Sequence, residues 1–221
     1  MSDFVIYMVF SVMESYTMFL LAFKIFKIDV YPKEMLFAGF LLGCFSYVIR
    51  VDYQMVEIDI IVQYLLMFCF FWLLFRVHFF YAAILTGMTY QAYTFIQTFY
   101  IFILNKIGLF SSIAFYGRII DSYVLQILSA LTTILISIYI GKKRKGFDFI
   151  PDKPNGKINT STREKLLFIL NLPTVAIVIS IMYLFNSKFF YLIPLIYGVL
   201  LFCYIYLSYT KDRGGNEYPQ P

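Results

Sequence analysis

The chain is built from long, unbroken apolar runs separated by short polar breaks. Such runs occupy Phe4–Ile25, Met35–Ile49, Ile58–Phe75, Phe79–Leu104, Ser122–Ile140, Leu166–Phe185 and Phe189–Tyr209. A helix needs roughly 20 mostly apolar residues to cross a hydrocarbon core of about 30 Å, and most of these runs meet that length. They are continuous rather than alternating, which excludes the strands of a membrane β-barrel. The pattern predicts an all-α, polytopic membrane helical bundle with about seven transmembrane helices. The second run is the weakest, because the uncharged residues 35–49 reach only about 22 Å. It therefore borrows Tyr31, Lys33 and Arg50 as snorkelling flanks. Arg76-Val77-His78 and Asn186-Ser187-Lys188 are connections so short that the helices they join must be antiparallel neighbours.

Composition agrees with that class. Of 221 residues, 61% are hydrophobic and 14% charged, against ~45–50% and ~25% in a soluble domain. The charge distribution adds an orientation. With the N-terminus outside, fourteen of the 18 Lys and Arg residues fall inside, among them Lys24, Lys27, Lys33, Arg76, Lys211 and Arg213. Only Arg50, Lys106, Arg118 and Lys188 fall outside. That asymmetry obeys the positive-inside rule and predicts an N-out/C-in protein of the cell membrane. It also makes the net charge of +5 a marker of topology, so nucleic acid is not expected as a partner. Only Ser2 and Asp3 precede the first run, so no cleaved signal is expected. Cys44, Cys69 and Cys203 lie within the runs and read as small hydrophobes, without a disulfide or a metal clip.

Catalytic patterns are missing. His78 is the single histidine and sits at a helix end, while Cys69 lies about two turns deeper on the preceding helix, a poor geometry for a dyad. No phosphate loop, HExxH or serine signature occurs, nor an aspartate pair of the intramembrane-protease type. No catalytic residue, metal site or cofactor is expected. Glu14 is instead the carboxylate well inside a run, and an acid there costs ~2.5–3.5 kcal/mol on insertion scales. It reads either as a ligand-contacting acid in an outward-facing cavity or as a hydrogen-bonded packing residue. With Gln63, Gln91, Thr94, Gln97 and Gln126 it makes up a candidate ligand-binding set. Gly87, Gln91, Thr94 and Thr98 follow one helical stripe, which must face other helices. Interhelical hydrogen bonding at about 0.6 kcal/mol per bond is the alternative role for these groups. Pro173 and Pro194 bend the last two runs.

The largest loop, Gly141–Lys165, opens with Lys142, Lys143, Arg144 and Lys145, which suit anionic lipid. Phe147 and Phe149 follow and are candidates for docking a partner protein or lying on the membrane surface. Ser161-Thr162-Arg163-Glu164 has the capping-box form, placing a helix start near Thr162. A short tail, Thr210–Pro221, follows the last run.

Four segments together resemble a known family. They are the first run with Glu14, Phe45-Ser46-Tyr47-Val48-Ile49-Arg50, Phe71-Trp72-Leu73-Leu74-Phe75-Arg76, and Gly146-Phe147-Asp148-Phe149-Ile150-Pro151. Across much of residues 1–209 the chain resembles the multi-span sensor regions of AgrC-like peptide-sensing histidine kinases. The resemblance implies a helical bundle that receives a secreted peptide and signals onward. No kinase domain follows Tyr209 in the sequence, so it implies a sensor-like module acting through a separate partner protein. The expected function is thus a non-enzymatic receptor in the lipid bilayer, with a peptide or small amphipathic ligand. A substrate-binding subunit of a transporter and a structural or assembly subunit are the alternatives.

Overall fold

The structure is a computed structural model and describes residues 2–108, 119–150, 162–171, 174 and 192–215. Among these residues it is entirely helical. α1 (Ser2–Ile25) ends at Lys27, whose φ of 52° turns the chain out of the helix. α2 (Pro32–Tyr47) opens with proline in its first turn, where the missing N–H costs nothing, and runs without a break into a π turn at Val48–Asp52. α3 (Val56–Cys69) ends in the same way, in a π turn at Phe70–Leu74. α4 (Phe79–Lys106) is capped by His78, whose Nδ1 accepts the Phe80 backbone N–H at 3.3 Å. α5 (Ile119–Lys143), α6 (Thr162–Ile169) and α7 (Leu192–Gly215) complete the described elements. α6 starts at the residue the capping pattern marks. α7 runs beyond Tyr209 into the segment expected to be tail. Arg118, Pro173, the Asn186–Lys188 turn and most of the sixth run lie outside the described residues.

Among the described residues, four helices, Phe4–Ile25, Pro32–Asp52, Ser122–Lys143 and Leu192–Arg213, are long and apolar enough to cross a membrane. The second run gains length at both ends, from the start of α2 at Pro32 and from the π turn, which carries the helix on through Arg50 to Asp52. Its 21 residues reach about 31 Å, so no flank has to be stretched. The apolar part of α3 with its π turn is shorter, Ile58–Leu74. α4 is long, at 28 residues, and carries Thr86, Thr89, Gln91, Thr94, Gln97 and Thr98 within it.

Contacts along the helices fix their directions. Phe10 stacks on Tyr123, Glu14 meets Gln126, Lys24 lies against Gly141, and Ile25 meets Phe147, so α1 and α5 run parallel. Gly87, Gln91 and Phe95 of α4 meet Tyr204, Tyr197 and Gly198 of α7, so these two run antiparallel. One end of the bundle therefore collects Lys24, Lys27, Arg76, Lys142–Lys145 and Lys211; we call it the basic end.

α4 is the axis. It packs against α1, α3, α5, α6 and α7, which bury Thr86, Thr89, Gln91 and Thr98 and half-bury Thr94 and Gln97. α1 and α2 make the closest pair, and the cause is a G-x-x-x-G spacing. A β-carbon on Gly39 would meet the Val12 carbonyl oxygen at 3.4 Å, and one on Gly43 would meet Met8 and Ser11 at 3.1–3.2 Å. Two glycines on one face let the backbones approach and supply dispersion contact where lipid offers no hydrophobic drive. Toward the basic end the interior is aromatic: Phe19, Phe23, Phe71 and Phe75 contact one another edge-on or tilted with centroids 4.9–6.0 Å apart. Large apolar side chains such as Phe37, Phe40, Leu131, Leu135, Leu195 and Phe202 point outward and stay exposed. A soluble surface would not carry so much contiguous apolar area, whereas a lipid-facing one requires it.

At the basic end the loop after α5 folds back on α1. Gly146 is buried, and a β-carbon there would lie 2.6–2.7 Å from the carbonyl oxygens of Ile25 and Lys24. Gly146→Ala is therefore expected to undock the loop and cost about 1–3 kcal/mol, read as a lower Tm and faster proteolysis after Lys142–Lys145. Gly141→Ala, which meets only the flexible Lys24 side chain, is expected to leave both readouts at wild-type values. Equal behaviour of the two variants would contradict the docking.

Candidate functional site

Polar side chains inside the bundle gather toward the end opposite the basic one, in the half that the aromatic core leaves free. At their centre is Glu14, midway along α1. Its Oε1 accepts the Gln97 amide N–H at 2.7 Å, and its Oε2 accepts the Gln126 amide N–H at 2.9 Å. One carboxylate thus ties α1 to α4 and α5. The Tyr93 side chain, buried one turn from Gln97, brings its hydroxyl beside Glu14 and Gln97 without completing a well-formed hydrogen bond. Glu14 looked partnerless in the sequence, yet its partners are two residues of the candidate set. The signal was available in principle. A buried acid needs donors, and at this depth on the long helices glutamines are the side chains with N–H groups to give.

A second pair was missed. Arg50 Nη2 lies 2.8 Å from Asp59 Oδ2, and the Asp59 side chain is only 1% exposed. Arg50, expected as a snorkelling flank, is thus paired inside the bundle, and its partner Asp59 is the second residue of the third run, a position the sequence reading passed over. Opposite charges nine residues apart across a tight turn were the sequence signal for this pairing. The adjacent Gln63 donates to the Leu42 carbonyl oxygen at 2.8 Å and more weakly to Asp59 Oδ1 at 3.4 Å. Gln63 therefore joins α3 to α2 and does not reach Glu14. On α1, the Tyr7 hydroxyl pairs with Ser46 Oγ at 2.7 Å. A cavity of about 30 Å³, room for one or two waters, lies between Ser15, Leu42, Gln63 and Tyr90.

The remaining candidates are placed elsewhere. Gln91 is fully buried on another face of α4 and donates to the Tyr197 carbonyl oxygen at 3.2 Å. Thr94 donates to its own helix, to the Tyr90 carbonyl oxygen. Gly87 and Gln91, the first two positions of the stripe, face other helices, whereas Thr94 and Thr98 bond their own helix. Gly87 leaves space for the Asn171 amide and the Tyr204 hydroxyl, and Asn171 accepts from Tyr64 at 2.8 Å. These groups join α3, α4, α6 and α7 and take no part in the Glu14 cluster.

At the basic end, Lys142, Lys143, Arg144 and Lys145 are exposed. Phe147 and Phe149 are half-buried instead, with rings 6.2 and 5.7 Å from Phe26. A partner could use them only by pulling the loop away. Glu164 of α6 is a further buried acid; it accepts from the Tyr81 hydroxyl at 3.0 Å and lies 3.3 Å from Lys211 Nζ.

Compared with known proteins, the chain matches no family model, no curated protein and no solved structure.

The Arg50–Asp59 pair makes a direct test of the polar half. Asp59→Ala leaves a guanidinium without its partner and is expected to cost about 2–3 kcal/mol. The double variant Arg50→Met/Asp59→Leu removes both charges, and its unfolding midpoint is expected to recover most of that loss. A double variant no better than Asp59→Ala would show that the pair is not a closed unit.

Proposed function

We propose that this is a non-enzymatic, receptor-like protein of the cell membrane, spanning the bilayer seven times with the basic end in the cytoplasm. It takes a peptide or small amphipathic ligand from the outer side and passes the signal to a separate protein partner. The observation that carries this reading is the Glu14 clamp. Both oxygens of one mid-membrane carboxylate are held by amides on two other helices, so a ligand group that draws away either amide, or the carboxylate, loosens three helices together. Hydrogen bonds to a charged group are worth about 1.5–3 kcal/mol each, enough for one exchange of partners to shift a two-state equilibrium at least tenfold.

α1 supplies the route to the other side. Its middle carries Glu14, and its final turn accepts the Phe147 N–H through the Ile25 carbonyl oxygen. The loop bearing Lys142–Lys145 therefore rides on the same helix as the clamp. Movement of α1 against α5 displaces that loop, and its exposed cations meet anionic lipid or an acidic surface of the partner. The parallel course of α1, α5 and α7, and the opposite course of α4 between them, support the alternating seven-span topology. The distribution of basic residues supports its orientation. The resemblance to peptide-sensing kinase sensor regions supports the ligand class.

A substrate-binding subunit of a transporter is the second reading, favoured by the small cavity beside Gln63 and Tyr90 in the polar half. Uptake into reconstituted vesicles that depends on Glu14 would favour it over sensing. For the receptor reading, cross-linking in native membranes is expected to trap a protein partner at the Lys142–Lys145 loop. Its yield should change about fivefold or more in Glu14→Gln. A loop with no partner, or a yield that ignores Glu14, would overturn it.

A further inference from the structure

The two carboxylates inside the polar half are matched differently. Asp59 is matched by Arg50 at 2.8 Å, whereas among the described residues no basic side chain forms an ion pair with Glu14. Its two hydrogen-bond partners are neutral amides. A carboxylate offers about four lone-pair positions, so roughly two remain after Gln97 and Gln126 have donated. Buried oxygen atoms without a well-formed hydrogen bond lie beside it and one turn away along α5. The Tyr93 hydroxyl, on a side chain 2% exposed, is turned to Glu14 without closing a hydrogen bond. The Oε1 of Gln126 is buried and unpartnered, on the amide whose nitrogen already touches Glu14. Ser129 Oγ, one turn further along the same face of α5, is likewise buried and unpartnered.

We propose that Glu14, Tyr93 and Gln126 form a site for a single monovalent alkali cation, with Ser129 at its margin. The ligand chemistry is that of a hard cation: carboxylate, amide carbonyl and hydroxyl oxygens, with no thiolate or imidazole. The charge count selects the valence. One carboxylate balances one positive charge, whereas a divalent ion would leave an unmatched charge inside the bilayer. The two glutamine amides hold the carboxylate in place, so the remaining lone pairs are preorganised and are not spent on rotating the side chain. Glu14 is half-buried rather than fully enclosed, as access for a small ion requires. The inference is independent of the receptor reading, although it uses the same carboxylate.

The experiment is thermal unfolding and radiosodium binding of the full chain in lipid nanodiscs, in sodium, potassium or choline chloride at equal ionic strength and pH. Sodium or potassium is expected to raise the Tm over choline by several degrees, saturably. The increment should vanish in Glu14→Gln. In Tyr93→Phe the half-saturating concentration should rise about fivefold, the loss of one ligand. Preference between sodium and potassium names the ion, with radiosodium binding near one per chain if it is sodium. Equal Tm in all three salts, or an unchanged increment in Glu14→Gln, overturns the site. If Glu14→Gln does not fold, the wild-type salt series together with Tyr93→Phe and Ser129→Ala decides alone, and midpoints unmoved in both variants overturn it.

Discussion

Everything in the polar half of this bundle follows from the cost of placing a carboxylate in hydrocarbon. An acid at the centre of a membrane helix is unfavourable by ~2.5–3.5 kcal/mol on insertion scales. Two hydrogen bonds to a charged group, at about 1.5–3 kcal/mol each, offset that cost only if both partners are held in reach. Gln97 and Gln126 meet the condition because α4 and α5 both lie against α1 at the depth of Glu14. The carboxylate thus selects the arrangement of three helices, and those helices set the position of the rest. α4, drawn in by Gln97, is the helix on which α3, α6 and α7 also pack.

The two halves of the molecule are held by different physics. Toward the basic end, interlocking Phe19, Phe23, Phe71 and Phe75 pack without polar groups, and dispersion between close-fitting rings dominates. Toward the other end, cohesion comes from directional bonds: Glu14 with its amides, Arg50 with Asp59, Tyr7 with Ser46. An aromatic core resists rearrangement because a shift of any ring opens a void. A polar network can exchange partners at modest cost, provided each group finds another. That difference places adaptability on the side proposed to face ligand and rigidity on the side proposed to carry the message. It also gives the Gly146 contact its meaning, since the basic loop is fastened to the rigid end of the same α1 that carries Glu14.

Much of this was legible in the sequence, and the parts that were not share a cause. Apolar runs mark helices because lipid leaves the backbone no other way to satisfy its polar groups, so the four long spans lie where hydropathy placed them. The candidate residues Glu14, Gln97 and Gln126 were picked for the same reason, as polar groups that need partners. Which of them meet depends on the order of packing around α4, and that order is a three-dimensional property. Gln63 and Gln91 look equivalent to Gln97 along the chain, yet one bonds α2 and the other α7. The second span takes in Lys33 and Arg50 as its short uncharged stretch requires, because α2 starts at Pro32 and a π turn keeps the helix running through Arg50, whose charge Asp59 neutralises. The inward packing of Phe147 and Phe149 depends on one missing β-carbon at Gly146, a detail that composition cannot register. The Gly39–Gly43 spacing was readable and states directly where α1 and α2 touch.

The most direct test of the clamp is a double-mutant cycle in nanodiscs, pairing Glu14→Ala with Gln97→Ala, Gln126→Ala and, as the control, Gln91→Ala. Neighbours in one network couple, whereas residues without shared partners add. The clamp predicts coupling of about 1 kcal/mol or more between Glu14 and each of Gln97 and Gln126, with Gln91 additive within about 0.5 kcal/mol. Additive behaviour for all three pairs would show that Glu14 does not hold these helices together.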